Sequence, residues 1–293
     1  MADPAVRQRA EELASTLPPL LVAAERVAAT VAQGVHGRRR VGPGESFWQF
    51  RRYEQGDAAT VIDWRQSAKS DRLFVRQQEW EAAQSVWLWR DNSPSMHFRS
   101  NFATQQKVER ATLLILALAA LLIRGGERIG LLGDGRLPGS GRAALSRVAQ
   151  TLVLRSKADK PNASMPPMAQ IPRHGTLILI GDFLSPVEEM ETIIRGYAAR
   201  GVNGHLLQVL DPVEEDLPFE GRTEFEGVEG EGRLVVSRVE GLRQLYLDKL
   251  ADQRQTLRHL TRAAGWTFTQ HRTDKPAQVP LLTLYELLST GGG

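Results

Sequence analysis

Trp87-Leu88-Trp89-Arg90-Asp91-Asn92-Ser93-Pro94-Ser95-Met96 is an apolar run of strand type that stops at an acid, with hydroxyls following in alternate positions. Asp91, Ser93 and Ser95 stand at i, i+2 and i+4. Their oxygens can share one small concavity if the chain curls there, and Asn92 and Pro94 both favour a turn. An oxygen-only set of this kind suits a hard divalent cation such as Mg²⁺. The same residues would also serve a plain strand-to-helix turn in which Asp91 or Ser95 caps the next helix. Both readings stand open on this stretch alone.

Downstream, the texture repeats. Thr176-Leu177-Ile178-Leu179-Ile180 is a continuous apolar run of the type buried on both faces in a parallel sheet, and it too ends at an acid, Gly181-Asp182. Between the two runs, residues 108–124 read as a strong helix closed by Gly125-Gly126, 128–132 as a strand and 142–154 as a second helix. After them come a helix over 186–200, with Ser185 as its cap, a buried strand over 204–210 ending at Asp211, a helix over 242–264, a strand over 266–270 and a last helix over 279–288. Strand and helix alternate throughout. The expected fold class is therefore α/β, a doubly wound, Rossmann-like sheet flanked by helices, in which sites lie at the carboxyl ends of strands. Adjacent strands would put the Asp91 and Asp182 ends about 5 Å apart, close enough to share one ion through water.

The flanking segments differ in composition. Residues 1–34 form an amphipathic helix, with Leu13, Leu17, Leu20, Leu21, Ala24, Val27, Ala28 and Val31 on one face and an interruption at Pro18-Pro19; docking on the protein's own core is the expectation. Residues 35–84 are rich in Gly, Arg and aromatics and predict turns and short strands, with ion pairs beside partly buried aromatic rings. Residues 85–290 make the α/β domain. Within it, the window 211–240 holds 10 acidic and 3 basic residues and predicts a solvated hairpin insertion over 223–225 and 234–236.

Bulk properties narrow the function classes. The 293-residue chain has 42% hydrophobic residues, ample for a core, and its formal charge of +3 gives no reason to expect nucleic acid. With no cysteine, disulfides, thiolate metal sites and thiol nucleophiles are excluded together. The longest apolar run, Ala111 to Ile123, has 13 residues, too few for a bilayer of roughly 30 Å, so no membrane span is expected. No basic leader with an apolar block follows Met1, and the expected location is cytoplasmic.

The Asp91 to Met96 stretch resembles the metal-ion-dependent adhesion site of von Willebrand factor A-like domains. Upstream, Arg52-Tyr53-x-x-Gly56-Asp57 and Ile62-Asp63-Trp64-Arg65-x-Ser67-Ala68 resemble the signature of the bacterial domain of unknown function 58 family, which carries such a domain just after it. The resemblance covers roughly residues 35 to 211. It implies a von Willebrand A-type sheet and a metal set of Asp91, Ser93, Ser95 and Asp182, with Ser140 as the candidate from the middle loop. Such sites usually add a Thr there, and this loop has none before its helix. Thr60 also stands where the family has a basic residue. The resemblance further implies Mg²⁺, with Mn²⁺ or Ca²⁺ as alternatives, and a non-catalytic interaction module partnered with a MoxR-type AAA+ ATPase. An Asp or Glu from that ATPase or its client would complete the ion.

Two other readings remain. A metal-dependent hydrolase using Asp91 and Asp182 would want a base near the ion, and His97 is the only histidine close in sequence. No Gly-rich loop ending in Gly-Lys-Ser/Thr is present, so the chain does not read as the ATPase itself. A degenerate, metal-free interaction fold is the third reading, favoured by the missing Thr.

Overall fold

The computed structural model describes residues 18–33, 47–53, 62–69, 72–78, 84–156, 164–227 and 232–290. The chain divides into two compact units, Arg38–Ala83 and the remainder. Among the described residues, the larger unit opens with helix α1 (18–33). It continues through β3 (Ser85–Arg90), a 3-10 turn (Pro94–His97), α3 (Lys107–Arg124), β4 (Arg128–Leu131), α4 (Gly141–Ser156), β5 (Thr176–Gly181), α5 (Val187–Ala198) and β6 (Asn203–Leu210). Next come α6 (Pro212–Asp216), the hairpin β7 (Thr223–Glu226) and β8 (Arg233–Val236), α7 (Glu240–Ala263), β9 (Thr267–Arg272) and α8 (Gln278–Thr290). In the smaller unit, β1 (Phe47–Arg52) pairs antiparallel with β2 (Phe74–Gln78), and the short α2 (Trp64–Ser67) lies between them in sequence.

Five strands of the larger unit form one sheet in the order β4-β3-β5-β6-β9, every neighbouring pair parallel. The doubly wound α/β expectation thus describes this unit. Strand order reverses between β3 and β5, the point where such sheets open a crevice beyond the carboxyl ends of the strands. Alternation along the strands feeds two cores. Val86, Leu88, Ile178, Ile180, Leu207 and Val209 face a layer formed by α1, α3, α4 and α8. Trp87, Trp89, Leu177, Leu179 and Leu206 face α5 and α7. Ala24, Ala28 and Val31 bring α1 onto the first core, so that helix docks on the protein's own core as its apolar face predicts; residues 1–17 and 34 of the expected segment lie outside the described residues.

α3 buries a continuous apolar run, Leu114 to Leu122, and its end shows why it stops. Gly126 takes φ 87°, and the Gly126 and Glu127 amides close on the Ile123 and Leu122 carbonyls in a Schellman-type turn. One expected cap does not form. Pro186, not Ser185, occupies the N-cap position of α5, and no side chain caps that end.

Candidate cation site at the β3 and β5 ends

Asp91 extends the ladder by one bond, its amide donating to the Ile180 carbonyl at 2.9 Å. The chain then turns. Ser93 N donates to Asp91 Oδ1 at 2.8 Å, Pro94 sets the φ of the turn, and Met96 is buried in the core beneath. With Met96 pointing inward, Ser93 Oγ and Ser95 Oγ stand 3.0 Å apart, and Ser95 Oγ donates to Asp182 Oδ2 at 2.7 Å. The four residues expected to act together are therefore brought together, and Asp91, Ser93 and Asp182 are each 2% exposed.

The β5 end is held as firmly. Asp182 Oδ1 accepts from Leu184 N at 3.2 Å, and its carbonyl accepts from Gln208 Nε2 at 2.8 Å. Phe183 takes φ 51°, a left-handed conformation that costs a residue with a Cβ about 1–2 kcal/mol. Its buried ring and the bond from Gln253 Nε2 to its carbonyl, 2.8 Å, hold it there. Gly181 lets the two strand ends close up: a Cβ on it would lie 2.8 Å from the Asp91 Cβ.

The surroundings are charged. Lys107, 0% exposed, donates through Nζ to Asp182 Oδ2 at 2.8 Å and to Glu214 Oε1 at 2.5 Å. Glu214 Oε2 accepts the Asp211 amide at 2.9 Å in a capping box that starts α6. Burial pushes the Asp91 carboxyl up to about 7; the Asp182 charge adds to this, while hydrogen bonds from Ser93 and the Lys107 ammonium oppose it. Burial also pulls the Lys107 ammonium down, but Asp182 and Glu214 more than offset that and leave it raised. Glu214 is raised, chiefly by burial. Behind the turn, Arg90 reaches between α3 and α4 to Thr112 Oγ1 (2.6 Å), Ser156 Oγ (2.8 Å) and Asn92 Oδ1 (2.5 Å). Burial, then Arg155, brings its pKa down to about 10.

The donor set fits a divalent ion. In a Mg²⁺ octahedron with bonds of about 2.1 Å, neighbouring ligand oxygens lie about 3.0 Å apart; the Ser93 and Ser95 hydroxyls, hydrogen-bonded to each other at 3.0 Å, can take such neighbouring positions without moving apart. Among the described residues no group of three or more His, Cys, Asp or Glu is arranged to hold a metal. This set differs in being two carboxylates and two hydroxyls.

Ser140 does not join it. Gly139 bridges antiparallel to Ile129, and Ile129 pairs with Val86, five residues before Asp91. The loop thus folds back along β4 and leaves Ser140 exposed, about 16 Å down the sheet from the acids. His97 is half-buried, and burial, followed by Arg90, lowers its pKa. No hydrogen bond joins it to Asp91, Ser93, Ser95 or Asp182 among the described residues.

The upstream residues belong to the smaller unit. Asp63 caps α2, accepting from Gln66 N at 2.9 Å, and its carbonyl accepts from Ser67 Oγ at 2.8 Å. Ser67 Oγ in turn accepts from Phe74 N at 2.9 Å. Arg52 ends β1, the Tyr53 amide donates to the Leu73 carbonyl at 2.9 Å, and Arg65 is exposed. Trp64, expected to be partly buried, is 65% exposed. Gly56 and Asp57 lie outside the described residues.

Lys107 and Glu214 were not anticipated. One signal was present: an ammonium on the first residue of a helix works against the helix dipole. No helix among the described residues is long and apolar enough to cross a membrane.

Comparison with known proteins gives relatives over most of the chain. Uncharacterized proteins of Mycobacterium bovis and Mycobacterium tuberculosis are each 27% identical over 276 residues, spanning 90% of this chain and 86% of theirs. Two solved structures cover 71% of this chain and 100% of their own: the conserved hypothetical protein BatB of Bacteroides thetaiotaomicron (18% identical, TM-score 0.42) and an aerotolerance-related membrane protein of Bacteroides fragilis (15% identical, TM-score 0.43). Residues 49–256 match the family described as protein of unknown function DUF58, a span that runs from within β1 through the ends of β3 and β5 to most of α7, and the chain belongs to that family.

Proposed function

We propose that this chain is a non-catalytic interaction module of von Willebrand A type whose cleft between the β3 and β5 ends takes a divalent cation, Mg²⁺ foremost. The observation that carries the reading is the convergence of two hydroxyls, Ser93 Oγ and Ser95 Oγ, with two buried carboxylates, Asp91 and Asp182, at two neighbouring strand ends. Asp91, Ser93 and Ser95 would hold the ion directly, and Asp182 through water or through Oδ1, since its Oδ2 already accepts from Ser95 and Lys107. The ion would supply a Lewis-acidic position open to a carboxylate from another protein. The resemblance to adhesion sites suggests the partner, an Asp or Glu on a MoxR-type AAA+ ATPase or on its client. An interaction role is favoured over hydrolysis because the half-buried His97 makes no hydrogen bond to the acids.

The test is calorimetric titration of the ATPase partner into the protein with Mg²⁺ and with chelator. Affinity that survives chelation, or survives in a folded Asp91→Ala variant, overturns the metal-bridged reading. A metal-free interaction fold is the second reading, and the observation favouring it is Lys107, which already places one positive charge on Asp182.

A further inference from the structure

Lys107 is the feature of this cleft that neither composition nor the donor set calls for. Its ammonium stands at the first residue of α3, where the helix dipole disfavours it, and it is 0% exposed. A fully buried ammonium survives only with charged, hydrogen-bonding partners. Its partners among the described residues are Asp182 Oδ2 at 2.8 Å and Glu214 Oε1 at 2.5 Å. The first of these belongs to the β5 end, the second to α6 beyond β6, so one side chain ties two strand ends to the start of α3.

Asp182 Oδ2 is also the oxygen that accepts from Ser95 Oγ, at 2.7 Å. With two donors already on it, that oxygen is not free to bond an ion directly. The charge balance points the same way. Asp91, Asp182 and Glu214 with Lys107 carry a net charge of about −2 when ionised, which one divalent ion offsets; without Lys107 the deficit is larger.

We propose that Lys107 is a tethered internal cation of this cleft: it occupies Asp182 Oδ2, sets how tightly a divalent ion is held, and joins the strand ends when no ion is bound. This rests on reading the cleft as a cation site. It makes Lys107 a positioning residue that competes electrostatically with the ion, and removing it should strengthen ion binding while weakening the ion-free protein. A merely structural lysine would give the opposite sign for binding, because its loss would loosen the donors.

The experiment titrates MnCl₂ into the full chain and into Lys107→Met by calorimetry, and follows melting of both in chelator and in saturating Mn²⁺. The expected result is at least about tenfold tighter Mn²⁺ binding by Lys107→Met, together with a melting temperature that falls in chelator and recovers with Mn²⁺. A silent wild type beside a variant that binds supports the role of Lys107 and overturns only the native cation site. Equal or weaker binding by the variant overturns the role of Lys107 and leaves the cation site standing. Silence from both proteins overturns both. If Lys107→Met has no melting transition in chelator, its return with Mn²⁺ supports the inference and its continued absence overturns it.

Discussion

Gly181→Ala tests whether the two strand ends are pressed together as described. A Cβ on Gly181 would stand 2.8 Å from the Asp91 Cβ and 3.1 Å from Asp91 Oδ2, whereas ordinary contact begins at 3.4 Å. The Asp91 turn and the end of β5 must then separate by about 0.6 Å, and neither can swing away as a flexible side chain would, since Asp91 is bonded to Ile180 and Ser93. Overpacking of this kind costs about 1–3 kcal/mol, and the stiffer unfolded chain returns about 0.4–1 kcal/mol of it. A net loss of about 1–2 kcal/mol corresponds to a fall in Tm of about 2–8 °C for a domain of this size. Urea unfolding should show a lower midpoint at unchanged slope, and Mn²⁺ titration should show binding weakened about tenfold or more. A variant with the wild-type midpoint and the wild-type Mn²⁺ affinity would refute the close approach of Asp91 to β5.

Other outcomes follow from the same geometry. Chelation should lower the Tm: at ion concentrations about a hundredfold above Kd the bound ion contributes about 2.7 kcal/mol, or about 5–11 °C, and Asp91→Ala should abolish the difference. His205 and His271 are both lowered to about 4, by burial first and, for His271, Arg110 next. Each stays neutral in the folded state while the unfolded chain takes up a proton below about 6.5, so stability is full above that pH and is lost as pH falls toward 4, by up to about 3 kcal/mol per group. His205→Gln should flatten part of that slope in ion-free melts, and an unchanged slope would count against the burial of His205. Tyr197→Phe removes a hydroxyl that donates to the Pro167 carbonyl at 2.7 Å and accepts from Ala169 N at 2.9 Å. It should cost about 1–3 kcal/mol in urea unfolding and leave Mn²⁺ binding unchanged.

The sheet was legible because parallel strands buried on both faces read as unbroken apolar runs, as Trp87 to Trp89 and Leu177 to Ile180 do. The acids that end them were legible for the same reason, since an abrupt change from apolar to charged marks a strand terminus. Ser140 shows where such reading stops. Its place in the loop says nothing of register, and the Gly139–Ile129 bridge carries it toward the opposite end of the sheet. Lys107 was hidden in another way: a lysine in a first helical turn ordinarily reads as solvated, and only the arrival of Asp182 and Glu214, from segments 75 and 107 residues away, turns it inward. Ser185 missed its cap by a single residue, because Pro186 sits where a side-chain oxygen would have been wanted.

The reversal of strand order between β3 and β5 also governs when the cleft can exist. Asp91 and Asp182 touch through Ser95, yet they are separated by α3, β4 and α4, so the earlier half of the cleft waits for a distant segment. At synthesis rates of about 5–20 residues per second, the 87 residues from Ser95 to Asp182 take about 4–17 s to appear. A nascent chain showing Asp91, Ser93 and Ser95 therefore lacks the oxygen that orients Ser95, and Glu214 arrives later still. The cleft is in this way assembled from segments that emerge in turn, and its donor oxygens converge only once more than half of the polypeptide has been made.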